Sequence, residues 1–185
     1  MIKQALTLSA IVALLSVGSM AKSGATQGKG AKGRVQAPVV LTEAEQEGLI
    51  FMAEEEKVAR DVYLHLTQTW GADIFSNISA SEQRHMDAVE GLLEQYHLPV
   101  PSTMDQEGIF ENEELQSMYD ELIAIGDASL EDAFEVGVTI EETDIVDLDE
   151  LMADGDLPSD VLDVYGRLLS GSYSHLSAFN KQLAQ

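Results

Sequence analysis

The sequence predicts an all-α protein, a four-helix bundle whose two halves are joined by one long crossover connection. Three observations predict it. Four stretches of about 24–28 residues carry apolar side chains three and four apart, the period of an amphipathic helix. No run alternates apolar and polar residues with period two, so no sheet is expected. Links are short within each pair of stretches, but residues 97–128 separate the pairs.

The first helix opens at Thr42, which fits a capping box with Glu45, and runs to about Thr69 before Gly71. Its inner stripe is Leu49, Met52, Glu56, Ala59, Tyr63 and Leu66, so one member is an acid. Glu54 and Glu55 fall off that stripe and are expected to face water. The second helix runs from about Asp73 to Tyr96 and stops before Pro99 and Pro101. Within the crossover, Glu113 to Ile125 reads as a short helix capped by Asn112 and closed by Gly126. The third long helix begins with Ser129 as N-cap and Asp132 three residues on; its stripe is Leu130, Phe134, Gly137, Glu141, Asp144 and Leu148. Gly155 and Pro158 break the chain before the last helix, Pro158 to Leu183, with stripe Val161, Tyr165, Leu168, Ser172, His175 and Phe179.

Composition narrows the function. With 185 residues the chain holds one well-cored domain. Residues 1–21 read as an export signal: Lys3 is the positive start, Ala5 to Val17 the apolar region, and Ser19-Met20-Ala21 a cleavage site. Thirteen apolar residues fall short of the roughly 20 that a spanning helix needs, so cleavage near Ala21 and a secreted or periplasmic product are expected, with no stable membrane insertion afterwards. Residues 22–39 are a Gly- and Lys-rich linker, and residues 40–185 the bundle. No cysteine is present, which excludes disulfides, thiolate catalysis and iron–sulfur clusters. All 33 acids lie in residues 40–185 against five basic residues, a net of −28. Nucleic acid is therefore excluded as a partner through phosphate contacts, while cations are favoured.

The chemistry centres on Ser81-Glu82-Gln83-Arg84-His85. Glu82 and His85, three residues apart, share one helix face with Ile78, Val89 and Leu92, so a carboxylate and an imidazole point at the core. Glu56, Glu141, Asp144 and His175 lie near the midpoints of the other three long helices and reach the same level in a bundle. Buried charges need a partner, and inward carboxylates with imidazoles suit iron, manganese or zinc, as one ion or a carboxylate-bridged pair. Plainer roles exist for each residue. Ser79 and Glu82 also match a capping box; His85 and His175 could serve as core histidines. A small rotation would expose Glu56, Glu142 competes with Glu141 for the inward place, and Asp144 could be a polar edge residue.

The run Glu56-Lys57-Val58-Ala59-Arg60-Asp61-Val62-Tyr63 resembles the first-helix Glu-x-x-Ala-Arg-x-x-Tyr pattern of rubrerythrins, and Glu82-x-x-His85 resembles their second-helix ligand pair. From Leu41 to Leu183 the chain resembles the ferritin-like family called domain of unknown function 2202, through EEEKVARDVY, SEQRH, GIFENEELQSMYDEL, VGVTIEETDI and LLSGSYSHLSAF. The resemblance implies a ferritin-like four-helix bundle, in which dimerisation through a bundle face is common. It also implies metal ligation by Glu56, Glu82, His85, Glu141, Asp144 and His175. Ser172 stands where the pattern has a carboxylate, which leaves open a single ion or a weakly held second one. The expectation is an exported protein that binds iron or manganese and performs oxidase or peroxidase chemistry on oxygen or peroxide. A non-enzymatic metal buffer and a metal-free helical interaction module are the alternatives.

Overall fold

The computed structural model describes residues 40–153 and 156–185. The expected leader and linker, residues 1–39, lie outside the described residues. Five helices and no strand are present among them: α1 Glu43–Trp70, α2 Asp73–Gln95, α3 Glu113–Gly126, α4 Leu130–Ala153 and α5 Ser159–Leu183.

Local chemistry explains each boundary. The Thr42 hydroxyl accepts from the Glu45 amide at 3.3 Å while the Glu45 carboxylate accepts from the Thr42 amide at 2.6 Å, the reciprocal capping box. Gly71 ends α1 in the left-handed region, φ 64°, which glycine adopts without a Cβ clash. Because α2 already begins at Asp73, Ser79 is not its cap; its hydroxyl donates to the Ser76 carbonyl. That removes the capping explanation for Glu82. Asn112 accepts from the Glu114 and Leu115 amides at the start of α3, and the Ser129 hydroxyl accepts from the Asp132 amide at the start of α4.

α1 packs on α2 and α4, α5 packs on α4 and α2, and α3 covers α1 and α4. Gly48 meets Leu151, and the Tyr63 hydroxyl lies 3.4 Å from the Gly137 carbonyl, so α1 and α4 are antiparallel. Tyr96 donates to Asp160, and Phe75 packs on Phe179, so α2 and α5 are antiparallel too. With α1 and α2 joined by a tight turn, α2 and α4 must run the same way. Only a connection as long as the bundle can join them, which is the role of residues 96–129 with α3 inside. This is the one-crossover four-helix bundle expected from the link lengths, and the ferritin-like arrangement that the family resemblance implied.

One expectation fails. Glu54 and Glu55 are 3% and 5% exposed and do not face water. The crossover lies along the side of α1 that a simple bundle leaves open, so this helix is buried all round from Met52 to Tyr63. Its outward polar residues bind the crossover. The Glu54 carboxylate accepts from the Glu111 and Asn112 amides at 2.6 and 3.1 Å. Lys57, fully buried, donates to Asp61 at 2.6 Å and to the Gln106 and Ile109 carbonyls at 2.7 and 3.0 Å, over the Phe110 ring. Asp61 also accepts from Arg60 and from the Gly108 amide. A smaller correction concerns Leu130, which sits at the first position of α4 and is 38% exposed rather than inside.

The apolar core falls into two clusters. One, with Leu49, Met52, Met86, Val89, Leu148 and Leu168, fills the end near the start of α1. The other, with Val62, Tyr63, Phe75, Ile78, Val136 and Phe179, fills the opposite end. Between them every long helix contributes a polar residue: Glu56, Glu82, Glu141 and Ser172 are 1–2% exposed. The layer they form is the candidate site.

Candidate metal centre

Each helix reaches this layer through its inner stripe. Glu56 follows Leu49 and Met52 on α1, and Glu82 follows Phe75 and Ile78 on α2. On α4 the order is Val136, Ile140, then Glu141 and Asp144; on α5 it is Leu168, then Ser172 and His175. Packing of the apolar clusters on both sides buries the carboxylates and Ser172, while the histidines keep a partly exposed edge.

Five of the six expected residues converge as two triads that share one carboxylate. Glu56, Glu82 and His85 form one; Glu82, Glu141 and His175 form the other, with the donor atoms of each within 4.8 Å of one another. Glu82 Oε2 lies 2.7 Å from His85 Nδ1 and Glu82 Oε1 lies 2.8 Å from His175 Nδ1. Glu56 Oε2 stands 3.3 Å from His85 Nδ1, and Glu141 Oε2 stands 3.5 Å from His175 Nδ1. The two imidazoles face each other with ring centroids 5.7 Å apart. The sixth residue, Asp144, belongs to neither triad: its Oδ2 accepts a short hydrogen bond from the Ser172 hydroxyl.

Satisfaction of these groups is incomplete. Among the described residues, Glu56 Oε1, Glu82 Oε1, Asp144 Oδ1 and both histidine Nδ1 atoms are buried without a well-aligned hydrogen bond. The imidazoles stand close to carboxylate oxygens, yet their ring N–H directions do not meet them. Buried polar atoms are normally paired, and each one left over costs roughly 1–3 kcal/mol. Five in one layer, all of ligand type and aimed inward, fit a cation whose coordination replaces those bonds.

The electrostatics agree. Burial holds the Glu56 carboxyl well above the usual carboxylate range, and Asp144, Glu82 and Glu141 push it further. Burial raises Glu141 and Asp144 to about 7, against the opposing pull of the His175 imidazole on the first and the Ser172 hydrogen bond on the second. Glu82 goes the other way: burial raises it, but the His175 and His85 contacts outweigh burial and hold it low. His175 is lifted to about 9 because Glu141 and Glu82 outweigh the effect of burial. Tyr63, whose hydroxyl donates to Glu141 Oε1 at 2.6 Å, is held in its neutral form by burial and that carboxylate.

These directions fix a pH dependence. Glu141 and Asp144 bind protons more tightly folded than unfolded, so their stabilisation is full below the ordinary carboxylate range and lost as pH rises through about 7. The His175 part is full below its ordinary 6.5 and lost through about 9. Glu82 opposes them only at acid pH, below its ordinary 4.5. Thermal melts of chelator-treated protein should therefore show a melting temperature that falls between about pH 5 and 9, and a bound divalent cation should flatten that slope. A melting temperature that rises over this range would contradict the buried cluster.

Two positioning residues escaped sequence reasoning. A Cβ on Gly171 would lie 2.5 Å from His85 Cε1 and 2.6 Å from Nε2, so only glycine lets the ring stand where it does. The signal was the small-residue run Ser170-Gly171-Ser172 opposite an imidazole. Ser172 is a hydrogen-bond donor that aims Asp144, where a metal ligand had been sought. Gly171→Ala should displace His85 and weaken Mn²⁺ binding by at least about 10-fold in a titration, with helicity intact. Gly166→Ala, on the same helix in open space, is the control that leaves binding unchanged.

The family match covers residues 45–185 and carries the description "Uncharacterized protein domain (DUF2202)". An uncharacterised protein of Methanocaldococcus jannaschii, MJ0754, is 48% identical over 143 residues, 77% of each chain. The crystal structure titled as a hypothetical protein MJ0754 from Methanococcus jannaschii superposes with a TM-score of 0.76 at 45% identity, over 83% of this chain and 86% of that one. On this match and this identity, the chain belongs to the DUF2202 family.

Proposed function

We propose that this protein binds two divalent iron or manganese ions at the centre of the bundle and uses them in oxidase or peroxidase chemistry on oxygen or peroxide. The observation that carries the reading is the convergence of three carboxylates and two imidazoles in one buried layer, with several of their inward-facing atoms left without a hydrogen bond among the described residues. Glu82 would serve both ions. Glu56 and His85 would complete one, and Glu141 and His175 the other. A redox-active pair of this kind supplies the electrons for reducing oxygen or peroxide.

The chain's own residues do the rest. Tyr63 occupies Glu141 Oε1 and leaves Oε2 facing His175. Ser172 holds Asp144 Oδ2 and leaves Oδ1 free beside the layer. The two apolar clusters exclude bulk water from above and below, which strengthens every electrostatic contact between them. The histidine side chains keep 12–13% exposure against 2–3% for Glu56, Glu82 and Glu141, so small reactants would approach past the imidazole edges between α2 and α5. With residues 1–21 as its leader, the protein would work outside the cytoplasm.

A non-enzymatic buffering role is favoured by one observation, the excess of acids over bases in residues 40–185. Turnover separates the two. Anaerobic protein loaded with Fe²⁺ is exposed to oxygen or to peroxide, and oxidation is followed by absorbance. Repeated oxidation of added Fe²⁺, lost in Glu82→Gln, is the expected result. Stoichiometric binding without oxidation faster than in buffer overturns the enzymatic reading and leaves buffering.

A further inference from the structure

Beside the central layer lies a second group of acids with no counter-charge. Glu55 on α1 is 5% exposed, and neither of its carboxylate oxygens has a hydrogen-bond partner among the described residues. It faces Asp147 on α4, at hydrogen-bonding distance; Asp147 Oδ2 is likewise unpartnered. One turn nearer the centre on α4 is Asp144, with its free Oδ1. Two carboxyl groups face to face need a cation or a shared proton between them. Among the described residues, the charged neighbours that act most strongly on Glu55 are Asp144, Asp147 and Glu56, all acids. Lys57 and Arg60, its basic neighbours on α1, are both committed to Asp61.

The position connects outside to inside. Asp147 is partly exposed, Glu55 is buried, and a cavity of about 10 Å³ is lined by Glu55 and Asp144 together with Glu56 and Glu141 of the central triads. Such a volume admits one water-sized occupant. Its apolar walls include Ile140 and Met118, the latter reaching in from α3.

We propose that the Glu55–Asp147 carboxyl pair forms a weak third divalent-cation subsite, from which ions pass inward by way of Asp144 to the central pair. The donors are carboxylate oxygens without imidazole, so the site takes a hard cation such as Mn²⁺ or Fe²⁺ and holds it more weakly than the centre does. The inference rests on the dinuclear reading above.

The test is Mn²⁺ titration and stopped-flow loading at neutral pH of metal-free protein, Glu55→Gln and Asp147→Asn, beside Glu82→Gln. Both subsite substitutions keep shape and replace a buried or half-buried carboxyl by an amide, so the fold is retained. The expected wild-type result is a weaker Mn²⁺ beyond the central two. In each subsite variant that ion is lost, the central two remain, and their loading slows at least about 10-fold. Unchanged stoichiometry and rate in Glu55→Gln and Asp147→Asn overturn the subsite and leave a shared proton between the carboxylates, with the central reading intact. Absence of any tight Mn²⁺ in the wild type overturns both readings.

Discussion

Glu82→Gln should empty both halves of the centre with one isosteric change. Its two carboxylate oxygens are divided between the triads, Oε2 toward His85 and Oε1 toward His175. An amide keeps the volume but removes the charge and turns one end into a donor. Mn²⁺ affinity should fall at least about 100-fold at both positions, more than the 10–100-fold typical of losing a group behind the ligands. Glu56→Gln and Glu141→Gln are expected to weaken one position each, because each touches a single triad. The metal-free protein should respond in the opposite sense. Replacing Glu56 removes the cost of burying an ionisable carboxyl beside Asp144, Glu82 and Glu141, so chelated Glu56→Gln should melt above chelated wild type. Titration and melting on the same variants separate a cation site from a merely structural cluster, which would be destabilised by the same substitutions.

Lys57→Met should produce the largest loss of stability. The ammonium is fully buried, donates to Asp61 and two crossover carbonyls, and sits 4.0 Å from the Phe110 ring centroid. Removing one partner of a buried pair leaves the other charge and the carbonyls uncompensated, at about 3–5 kcal/mol. At about 2–4 °C per kcal/mol for a domain of this size, the melting temperature should drop by roughly 6–20 °C. Protease cleavage in residues 97–112 should rise together with it, because Lys57, Glu54 and Asp61 are what tie this segment to α1. In Lys57→Met with Asp61→Leu the loss should be smaller than the sum of the two single losses, the signature of a coupled pair. A melting temperature within about 2 °C of wild type would show that the crossover is held by apolar contacts instead.

The fold was legible because its signals are local. Thr42 with Glu45, Gly71, Asn112 and Ser129 mark helix ends with side chains that bond the nearest amides or with a left-handed φ, and the structure uses all of them. The inner stripes were legible for the same reason: residues on a helix share a face at fixed spacing. Glu56, Glu82, His85, Glu141 and His175 meet because four midpoints of similar helices coincide. What periodicity could not show was the path of an irregular segment. Residues 97–112 have no repeat, so nothing in the sequence announced that they would lie on α1 and bind Glu54 and Lys57. Gly171 was silent for another reason. Its role lies in the absence of a Cβ against an imidazole on a different helix, a three-dimensional fact with no spacing rule. Ser172 read as a gap in a ligand pattern, and became intelligible only with Asp144 beside it.

Anomalous diffraction from crystals of the chain grown with Mn²⁺ tests the central claim most directly. Two peaks per chain are expected in the polar layer, one against Glu56, Glu82 and His85 and one against Glu82, Glu141 and His175. Well-ordered crystals with no peak in that layer, at a manganese concentration that decorates surface carboxylates, would contradict the dinuclear centre and leave the buried acids as a proton-sharing cluster.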